Sequence, residues 1–255
     1  MIDSRPKVGV QLHPQHASIE ELRLAWRSAE QAGADSIWVW DHFFPLSGDP
    51  DGLHFEGWTL LAAMAVETSR PKIGVLVTCN SYRNPELLAD MARTVDHLSG
   101  GRTVLGIGAG WFRRDYDEYG YEFGTARDRL AALATSLPRI RARLERLSPR
   151  AVGPLPILVG GSGERVTLRL VAEHAAAWNS FGPAEEFARL NRVLDDHCRD
   201  IGRDTADIER TVAIQAHEVD AFEAFVQAGA QHVIVECPHP FDLEPLRQLV
   251  AAARA

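Results

Sequence analysis

The chain has 255 residues, which is enough for one large domain with a full hydrophobic core. Its composition is 45% hydrophobic and 24% charged, and its net charge of −8 argues against a nucleic-acid or anionic-membrane partner. The isolated cysteines Cys79, Cys198 and Cys237 argue against a disulfide framework, and no apolar run is typical of a signal peptide or a membrane span. A cytoplasmic location is therefore expected.

Short β-rich runs alternate with amphipathic segments along the chain. The first helix is expected to begin after Ser18, where Glu21 would complete a capping box, and to end at Gly33. Another is expected from about Pro85 to Gly100, and the last from about residue 242 to the C-terminus. The predicted strands are Lys7–Leu12, Ser36–Asp41, Lys72–Thr78, Thr103–Gly108, Pro156–Gly160, Ala177–Phe181, Glu209–Gln215 and His232–Glu236.

Eight strands in alternation with eight helices predict a parallel sheet. Eight such units in about 250 residues predict a (β/α)8 TIM barrel, an α/β fold, as a single domain over residues 1–255. A doubly wound open sheet is the alternative, but the loop that follows the first strand lacks the glycines of its phosphate site. The loops at 43–57 and about 109–124 are long, which is typical of functional loops.

The second predicted strand ends in Asp41 and His42, and the carboxyl ends of barrel strands are where active sites lie. His42 has the intrinsic pKa of a general acid or base near neutral pH, and Asp41 could orient it. The alternative is a capping aspartate beside a structural histidine. Trp38 and Trp40, which precede the pair, are interpreted as packing residues.

Two glycine-rich segments lie within predicted strands or directly after them. Gly160, Gly161 and Ser162 stand between a strand and a helix, an arrangement typical either of a phosphate site or of a plain capped turn. Gly106 and Gly108 leave one face of the fourth strand bare. That face could receive a flat ring system, or it could accommodate tight packing or a bulge.

Polar residues after two other strands admit further interpretations. Asn80 follows the third strand and could face a pocket, while Arg83 in the same loop could pair with a local carboxylate. His13 and His16 follow the first strand, but strands four to six end without histidine or aspartate, so no metal site is predicted.

The segments Asp41–Phe43, Asn80–Pro85, Leu98–Arg102, Gly106–Trp111 and Gly160–Gly163 together resemble the bacterial luciferase-like superfamily, most closely its branch that uses the deazaflavin coenzyme F420. The resemblance covers almost the whole chain, and the motifs occur in the family's order. It implies a barrel with the deazaflavin ring at the carboxyl ends of the strands.

The resemblance also implies roles for single residues. His42 would be the catalytic acid or base, and Asp41 would lie beside the ring. The remaining cofactor-binding residues would be Val75, Leu76, Val77, Asn80, Gly106, Gly108, Gly160, Gly161 and Ser162, with a non-prolyl cis peptide within Val75–Val77, at Val75–Leu76. The substrate pocket would include His13, Phe43 and Trp111.

One departure from the family concerns Trp111. The F420-dependent sugar-phosphate dehydrogenases have a glutamate at this position, so Trp111 argues against a sugar-phosphate substrate and for a more apolar pocket wall.

The resemblance predicts an F420-dependent oxidoreductase that transfers a hydride to or from a small organic substrate. The alternatives are an FMN-dependent luciferase-like monooxygenase, a non-catalytic flavin or deazaflavin carrier and a metallohydrolase. The apolar segment Trp58–Ala65 predicts a homodimer, because family members commonly pair through the helices after strands two and three.

Overall fold

The computed structural model describes residues 5–255, so the predicted domain boundary at residue 1 lies outside the described residues. The strands are β1 (Lys7–Leu12), β2 (Ser36–Val39), β3 (Lys72–Val75), β4 (Thr78–Cys79), β5 (Thr103–Gly108), β6 (Ile157–Gly160), β7 (Ala177–Ser180), β8 (Glu209–Ile214) and β9 (His232–Cys237). The α-helices are α1 (Ile19–Ala32), α2 (Gly57–Glu67), α3 (Pro85–Ser99), α4 (Arg113–Tyr119), α5 (Ala126–Leu144), α6 (Thr167–His174), α7 (Ala184–Asp200), α8 (Phe222–Gln227) and α9 (Glu244–Arg254).

The strands form one parallel sheet that closes on itself. Its order is β3-β2-β1-β9-β8-β7-β6-β5-β4, and β3 also pairs with β5 through Gly74 and Val104. Because β3 and β4 both pair with β5, they are two parts of a single barrel strand. The predicted single-domain (β/α)8 TIM barrel is confirmed, and the doubly wound alternative is wrong.

Helix signals in the sequence were accurate where a capping side chain sets the boundary. The Ser18 hydroxyl accepts from the Glu21 amide, the Glu21 carboxylate accepts from the Ser18 amide, and Gly33 ends α1 with a φ of 96°. The helix α3 begins at Pro85 and ends before Gly100, as predicted.

The connection after β5 differs from the prediction of one helix. Gly120 ends α4 with a φ of 72°, and Thr125 begins α5 with a second capping box. The eight predicted helices therefore become nine α-helices in the part of the chain that the structure describes.

The third barrel strand is interrupted where the sequence predicted continuous pairing. The non-prolyl cis peptide lies at Leu76–Val77, so its predicted position at Val75–Leu76 is wrong by one bond. The Leu76 amide still donates to the Val39 carbonyl at 2.8 Å, so the chain stays in the ladder for one residue beyond β3. Val77 leaves the ladder, and its side chain lies close to Gly108 and Gly160.

Apolar side chains fill the barrel interior below the carboxyl ends of the strands. The largest is Trp38, whose indole N–H donates to the Ser36 hydroxyl at 2.6 Å. A Cβ on Gly74 would lie 2.5 Å from the Trp38 ring, so this glycine makes room for the indole. Trp38 packs with Leu76, Val104, Leu158, Ala177, Ala213 and Ile234. This interior core lies directly beneath the cavity described next.

None of the helices within residues 5–255 is long and apolar enough to cross a membrane.

Candidate functional site

A cavity of about 480 Å³ opens at the carboxyl ends of the barrel strands. This volume is within the usual range for sites that bind small molecules. The cavity is lined mainly by apolar side chains and bare backbone, and no lysine or arginine of residues 5–255 is among its lining residues. The lining residues are Gln11, Trp40, Asp41, His42, Leu46, Leu76, Val77, Thr78, Cys79, Tyr82, Gly108, Ala109, Gly110, Trp111, Gly160, Gly161, Thr167, Asn179, Phe181 and Glu236.

His42 lies in the cavity wall with 12% of its side chain exposed. Its Nδ1 atom donates to the Asp115 carboxylate at 2.7 Å. The tautomer that donates through Nδ1 leaves Nε2 as the nitrogen that accepts a proton. The rings of Trp111 and Phe112 meet the imidazole edge to face, at centroid distances of 5.6 and 5.4 Å.

Asp115 is a residue of the candidate site that sequence reasoning missed. Its carboxylate is fully buried and accepts hydrogen bonds from His42, from the Phe43 amide at 3.0 Å and from the Tyr82 hydroxyl at 2.8 Å. Burial raises the pKa of Tyr82, so its hydroxyl stays a donor. The only available signal was the position of Asp115 in a long loop that the sequence had marked as functional.

Asp41 also lines the cavity, but both of its carboxylate oxygens are occupied. They accept from the Cys79 amide at 2.9 Å and from the Arg83 guanidinium at 2.7 and 2.9 Å. Burial raises the pKa of Asp41, and Arg83 opposes this shift. Arg83 also bonds to Glu56 at 2.5 Å, so the sequence interpretation of Arg83 paired with a local carboxylate is correct.

Bare backbone forms much of the opposite wall. Gly108, Gly160 and Gly161 line the cavity there. Asn179 lies beside them: its Nδ2 donates to Thr211 at 2.8 Å, but its buried Oδ1 has no hydrogen-bond partner within residues 5–255. A buried acceptor that no protein group satisfies is available to a donor from a ligand. This wall can therefore receive a flat ring that carries an N–H group.

The glycines of β5 have a second role, which the sequence left open. A Cβ on Gly106 would lie 2.1 Å from the Val75 carbonyl oxygen, and a Cβ on Gly108 would lie 2.7 Å from the Val77 side chain. Both glycines thus make room for the interrupted third strand. This corresponds to the bulge that the sequence analysis gave as the alternative to a ring site. Gly108 lines the cavity as well, whereas Gly106 does not.

The predicted phosphate turn is only partly available to a ligand. The Gly161 amide donates to the Asn179 carbonyl at 3.0 Å, so this N–H is not an open phosphate donor. The Ser162 hydroxyl lies 3.0 Å from the Ser180 hydroxyl, and Ser162 is exposed outside the lining. Thr167, the first residue of α6, does line the cavity.

The structure brings eight of the predicted site residues together in the lining and leaves six outside it. Asp41, His42, Leu76, Val77, Gly108, Trp111, Gly160 and Gly161 line the cavity. His13, Phe43, Val75, Asn80, Gly106 and Ser162 do not. Trp40, interpreted as a packing residue, lines the cavity.

Local packing explains three of the residues outside the lining. Phe43 lies in an aromatic cluster, with its ring stacked on Tyr119 at a centroid distance of 4.2 Å. Val75 faces the layer between strands and helices, and Asn80 is buried in a short 3₁₀-helix.

His13 and Glu236 form a second polar cluster, at the ends of β1 and β9. Glu236 lines the cavity with 15% of its side chain exposed, and it accepts a hydrogen bond from Gln215. The His13 Nε2 atom lies 3.9 Å from the Glu236 carboxylate. Burial raises the pKa of Glu236 and lowers that of His13 to about 4. Sequence reasoning passed over Glu236, although it ended a predicted strand.

The family model described as luciferase-like monooxygenase matches residues 4–254. The chain belongs to the luciferase-like monooxygenase family. The resemblance stated from sequence motifs is thereby confirmed.

Relatives in this family include several oxidoreductases. A 4-hydroxyprotoasukamycin monooxygenase of Streptomyces nodosus subsp. asukaensis is 27% identical over 257 residues, which cover 86% of this chain and 66% of the relative. An F420-dependent glucose-6-phosphate dehydrogenase of Amycolatopsis mediterranei (strain U-32) is 37% identical over 116 residues, or 44% of this chain and 34% of the relative. The chain thus spans less than two thirds of the length of these two relatives.

Solved structures share the fold at low sequence identity. An F420-dependent secondary alcohol dehydrogenase, in complex with an F420-acetone adduct, superposes with a TM-score of 0.88 at 16% identity, over 98% of this chain and 100% of that one. The F420-dependent tetrahydromethanopterin reductase from Methanopyrus kandleri gives a TM-score of 0.76 at 17% identity, over 96% and 97% of the two chains. A type II Baeyer-Villiger monooxygenase of Pseudomonas putida, in complex with FMN, gives a TM-score of 0.67 at 17% identity, over 88% and 75% of the two chains.

Proposed function

We propose that the protein is an F420-dependent oxidoreductase that transfers a hydride between the deazaflavin ring and a carbonyl, alcohol or activated double bond of a small organic substrate. The observation that carries the proposal is the His42–Asp115 pair in the wall of an apolar cavity at the carboxyl ends of the barrel strands. The F420-dependent enzymes among the relatives and structural neighbours support the choice of cofactor.

The residues of the cavity suit a flat tricyclic ring. Leu76 and Val77 would support the ring from one side, and the backbone of Gly108 and Gly160 would let it approach closely. The unpartnered Oδ1 of Asn179 would accept a hydrogen bond from a ring N–H. When bound, the deazaflavin supplies the hydride chemistry that side chains cannot provide.

His42 would hold or move the proton that accompanies hydride transfer at a C–O bond. Its Nε2 would exchange the proton, and the buried Asp115 would stabilise the imidazolium that forms. Trp40, Trp111 and Phe181 would exclude water from this apolar space.

An FMN-dependent monooxygenase is the second candidate. The Streptomyces relative, which is named as a monooxygenase and covers 86% of this chain, favours it, as do the FMN-bound neighbours. A non-catalytic carrier of either cofactor would bind the ring and turn over no substrate.

One experiment separates these candidates. Titrating the purified protein with coenzyme F420 and with FMN should give the tighter dissociation constant for F420. With F420 bound, a panel of secondary alcohols and ketones should reveal turnover that His42→Gln reduces about a hundredfold. Tighter binding of FMN, or full turnover by His42→Gln, contradicts the proposal.

We also propose that the protein forms a homodimer through α2 and α3, and a cytoplasmic location stays a prediction. Val66 on α2 is 63% exposed and Leu87 on the adjacent α3 is 53% exposed. Exposed aliphatic side chains on neighbouring helices are typical of a subunit interface.

A further inference from the structure

We infer that Glu236 selects the substrate: the cavity admits neutral or cationic molecules that present a hydroxyl or ammonium group to this carboxylate, and it rejects carboxylated and phosphorylated ones. The inference rests on the proposed function, because it takes the cavity as the place where the substrate meets the ring. It adds a substrate class and the residue that determines it.

The carboxylates in and beside the cavity differ in how their negative charges are compensated. Asp41 is compensated by the Arg83 guanidinium, and Asp115 is bound by His42 and the Tyr82 hydroxyl. Glu236, by contrast, has only the neutral amide of Gln215 as a hydrogen-bond donor within residues 5–255. It is thus the carboxylate of the lining without a guanidinium or ammonium partner in the described chain.

His13 does not supply the missing positive charge. It is buried and stacks on Trp40 at a centroid distance of 4.1 Å, and burial lowers its pKa to about 4, so the ring is neutral at neutral pH. Its Nε2 atom has no hydrogen-bond partner in the described part of the chain. Glu236 therefore gives a mainly apolar cavity one polar corner, with His13 beside it outside the lining, and its carboxylate has hydrogen-bonding capacity left over for a ligand.

Electrostatics in a poorly solvated site determines which ligands the cavity admits. A second anion beside Glu236 would lose its hydration and meet a like charge, with no lysine or arginine of residues 5–255 in the lining to offset it. A hydroxyl or ammonium group would instead restore the hydrogen bonding that burial takes from the carboxylate.

The position of Glu236 separates this role from that of His42. β1 lies between β9 and β2 in the barrel, so the two side chains enter the cavity from neighbouring sectors of its rim. Glu236 would therefore bind a substituent beside the reacting carbon, while His42 acts on the reacting oxygen.

Four probes that share a methyl carbinol test the inference. Isopropanol carries a methyl group at the variable position, propylene glycol a hydroxymethyl group, isopropanolamine an aminomethyl group that is protonated at neutral pH, and lactate a carboxylate. Their dissociation constants would be measured calorimetrically with the F420-loaded protein, so that binding is detected whether or not turnover follows. The variants are Glu236→Gln and, as a matched control outside the cavity, Glu122→Gln at an exposed position.

We expect the wild type and Glu122→Gln to bind propylene glycol and isopropanolamine about tenfold or more tightly than lactate. Glu236→Gln should bind lactate about tenfold more tightly than the wild type does and isopropanolamine more weakly, with isopropanol unchanged. Equal wild-type affinities for lactate and propylene glycol overturn the inference. An unchanged preference in Glu236→Gln, or no binding of any probe, overturns it too.

F420 binding distinguishes failure of the proposed function from failure of the inference about Glu236. If the protein binds no F420, that proposal fails, and the probes are then titrated into the FMN-loaded or cofactor-free protein, whose cavity still contains Glu236. The charge preference is thus measured in every case.

Discussion

His42 owes its orientation to Asp115, a carboxylate 73 positions further along the chain. The same carboxylate is bound by the Phe43 amide and the Tyr82 hydroxyl, so its position is fixed from three directions. A buried carboxylate in this position selects one imidazole tautomer and fixes the orientation of the ring. Asp115 is therefore a positioning residue for the proposed reaction.

Substituting Asp115 with asparagine should lower kcat about a hundredfold, because an amide cannot stabilise the imidazolium or enforce the tautomer. Steady-state kinetics over a range of pH would measure both the loss and a displaced pH profile. Asp117→Asn in the same helix, where Asp117 makes an exposed pair with Arg113, is the matched control. A normal kcat and pH profile for Asp115→Asn would refute this role.

His54 should make the stability of the fold depend on pH. Its Nε2 accepts a hydrogen bond from the Trp40 indole at 2.9 Å, and burial lowers its pKa to about 4. In the unfolded chain histidine titrates near 6.5, so the full free energy of unfolding is present above that pH and declines as pH falls toward 4.

Between about pH 7 and about pH 5, His54 should remove about 2 kcal/mol from the free energy of unfolding. Urea unfolding at the two pH values would measure this loss, which should be smaller in His54→Gln because glutamine does not titrate. His217→Gln, at an exposed histidine, should retain the wild-type dependence. Identical pH dependence in wild type and His54→Gln would exclude the effect.

Among the structural elements, the half-buried Arg83 links three parts of the barrel rim. It bonds to Asp41 after β2, to Glu56 at the start of α2, and itself belongs to the loop after β4. The rim of the cavity around His42 therefore depends on a single guanidinium. Removing one partner of a buried ion pair leaves an uncompensated charge, which costs more than the pair contributes.

Arg83→Met should lower the free energy of unfolding by about 3–5 kcal/mol, because Asp41 would remain buried without its partner. Thermal or urea unfolding would measure the change. Arg139→Met, which breaks an exposed pair with Glu86, should cost less than about 1 kcal/mol. Adding Asp41→Asn to Arg83→Met should recover part of the loss, and equal costs for the two arginines would contradict the prediction.

For the molecule as a whole, the proposed dimer brings together the exposed aliphatic side chains of α2 and α3. Light scattering should give twice the mass of the 28.2 kDa chain. Leu87→Glu should shift the protein toward the monomer, because a charge would be buried in the interface. Leu24→Glu, on α1 and 64% exposed, is the control that should remain dimeric. A monomeric wild-type mass would disprove the proposal.

The barrel could be predicted from the sequence because its signals are local and repeated eight times. Capping residues such as Ser18 and Gly33 fixed helix ends, and the alternation of strands and helices fixed the class of sheet. His42 was predicted because catalytic residues lie at the carboxyl ends of barrel strands. Proton transfer by His42 is proposed, and the turnover of His42→Gln tests it.

The rest of the site could not be predicted, because long-range contacts determine it. Asp115 reaches His42 from a helix inside a long loop, and Asp41 is held by Arg83 from a different loop. β2 ends at Val39, two residues early, and Trp40 beyond it lines the cavity. The hydrophobic pattern of one segment cannot predict such pairings, because each pairing depends on where a second segment lies.

Val77 limits the order in which this cavity can acquire new residues during evolution or engineering. Its methyl groups lie 2.7 Å from the position of a Cβ on Gly108 and 2.9 Å from that of a Cβ on Gly160. A side chain introduced at either glycine meets Val77 first, whereas a prior Val77→Ala substitution would open both positions at once. Val77→Ala is therefore the permissive first step. A library that varies Gly108 or Gly160 in the wild-type background would lose side chains that the Val77→Ala background can accommodate.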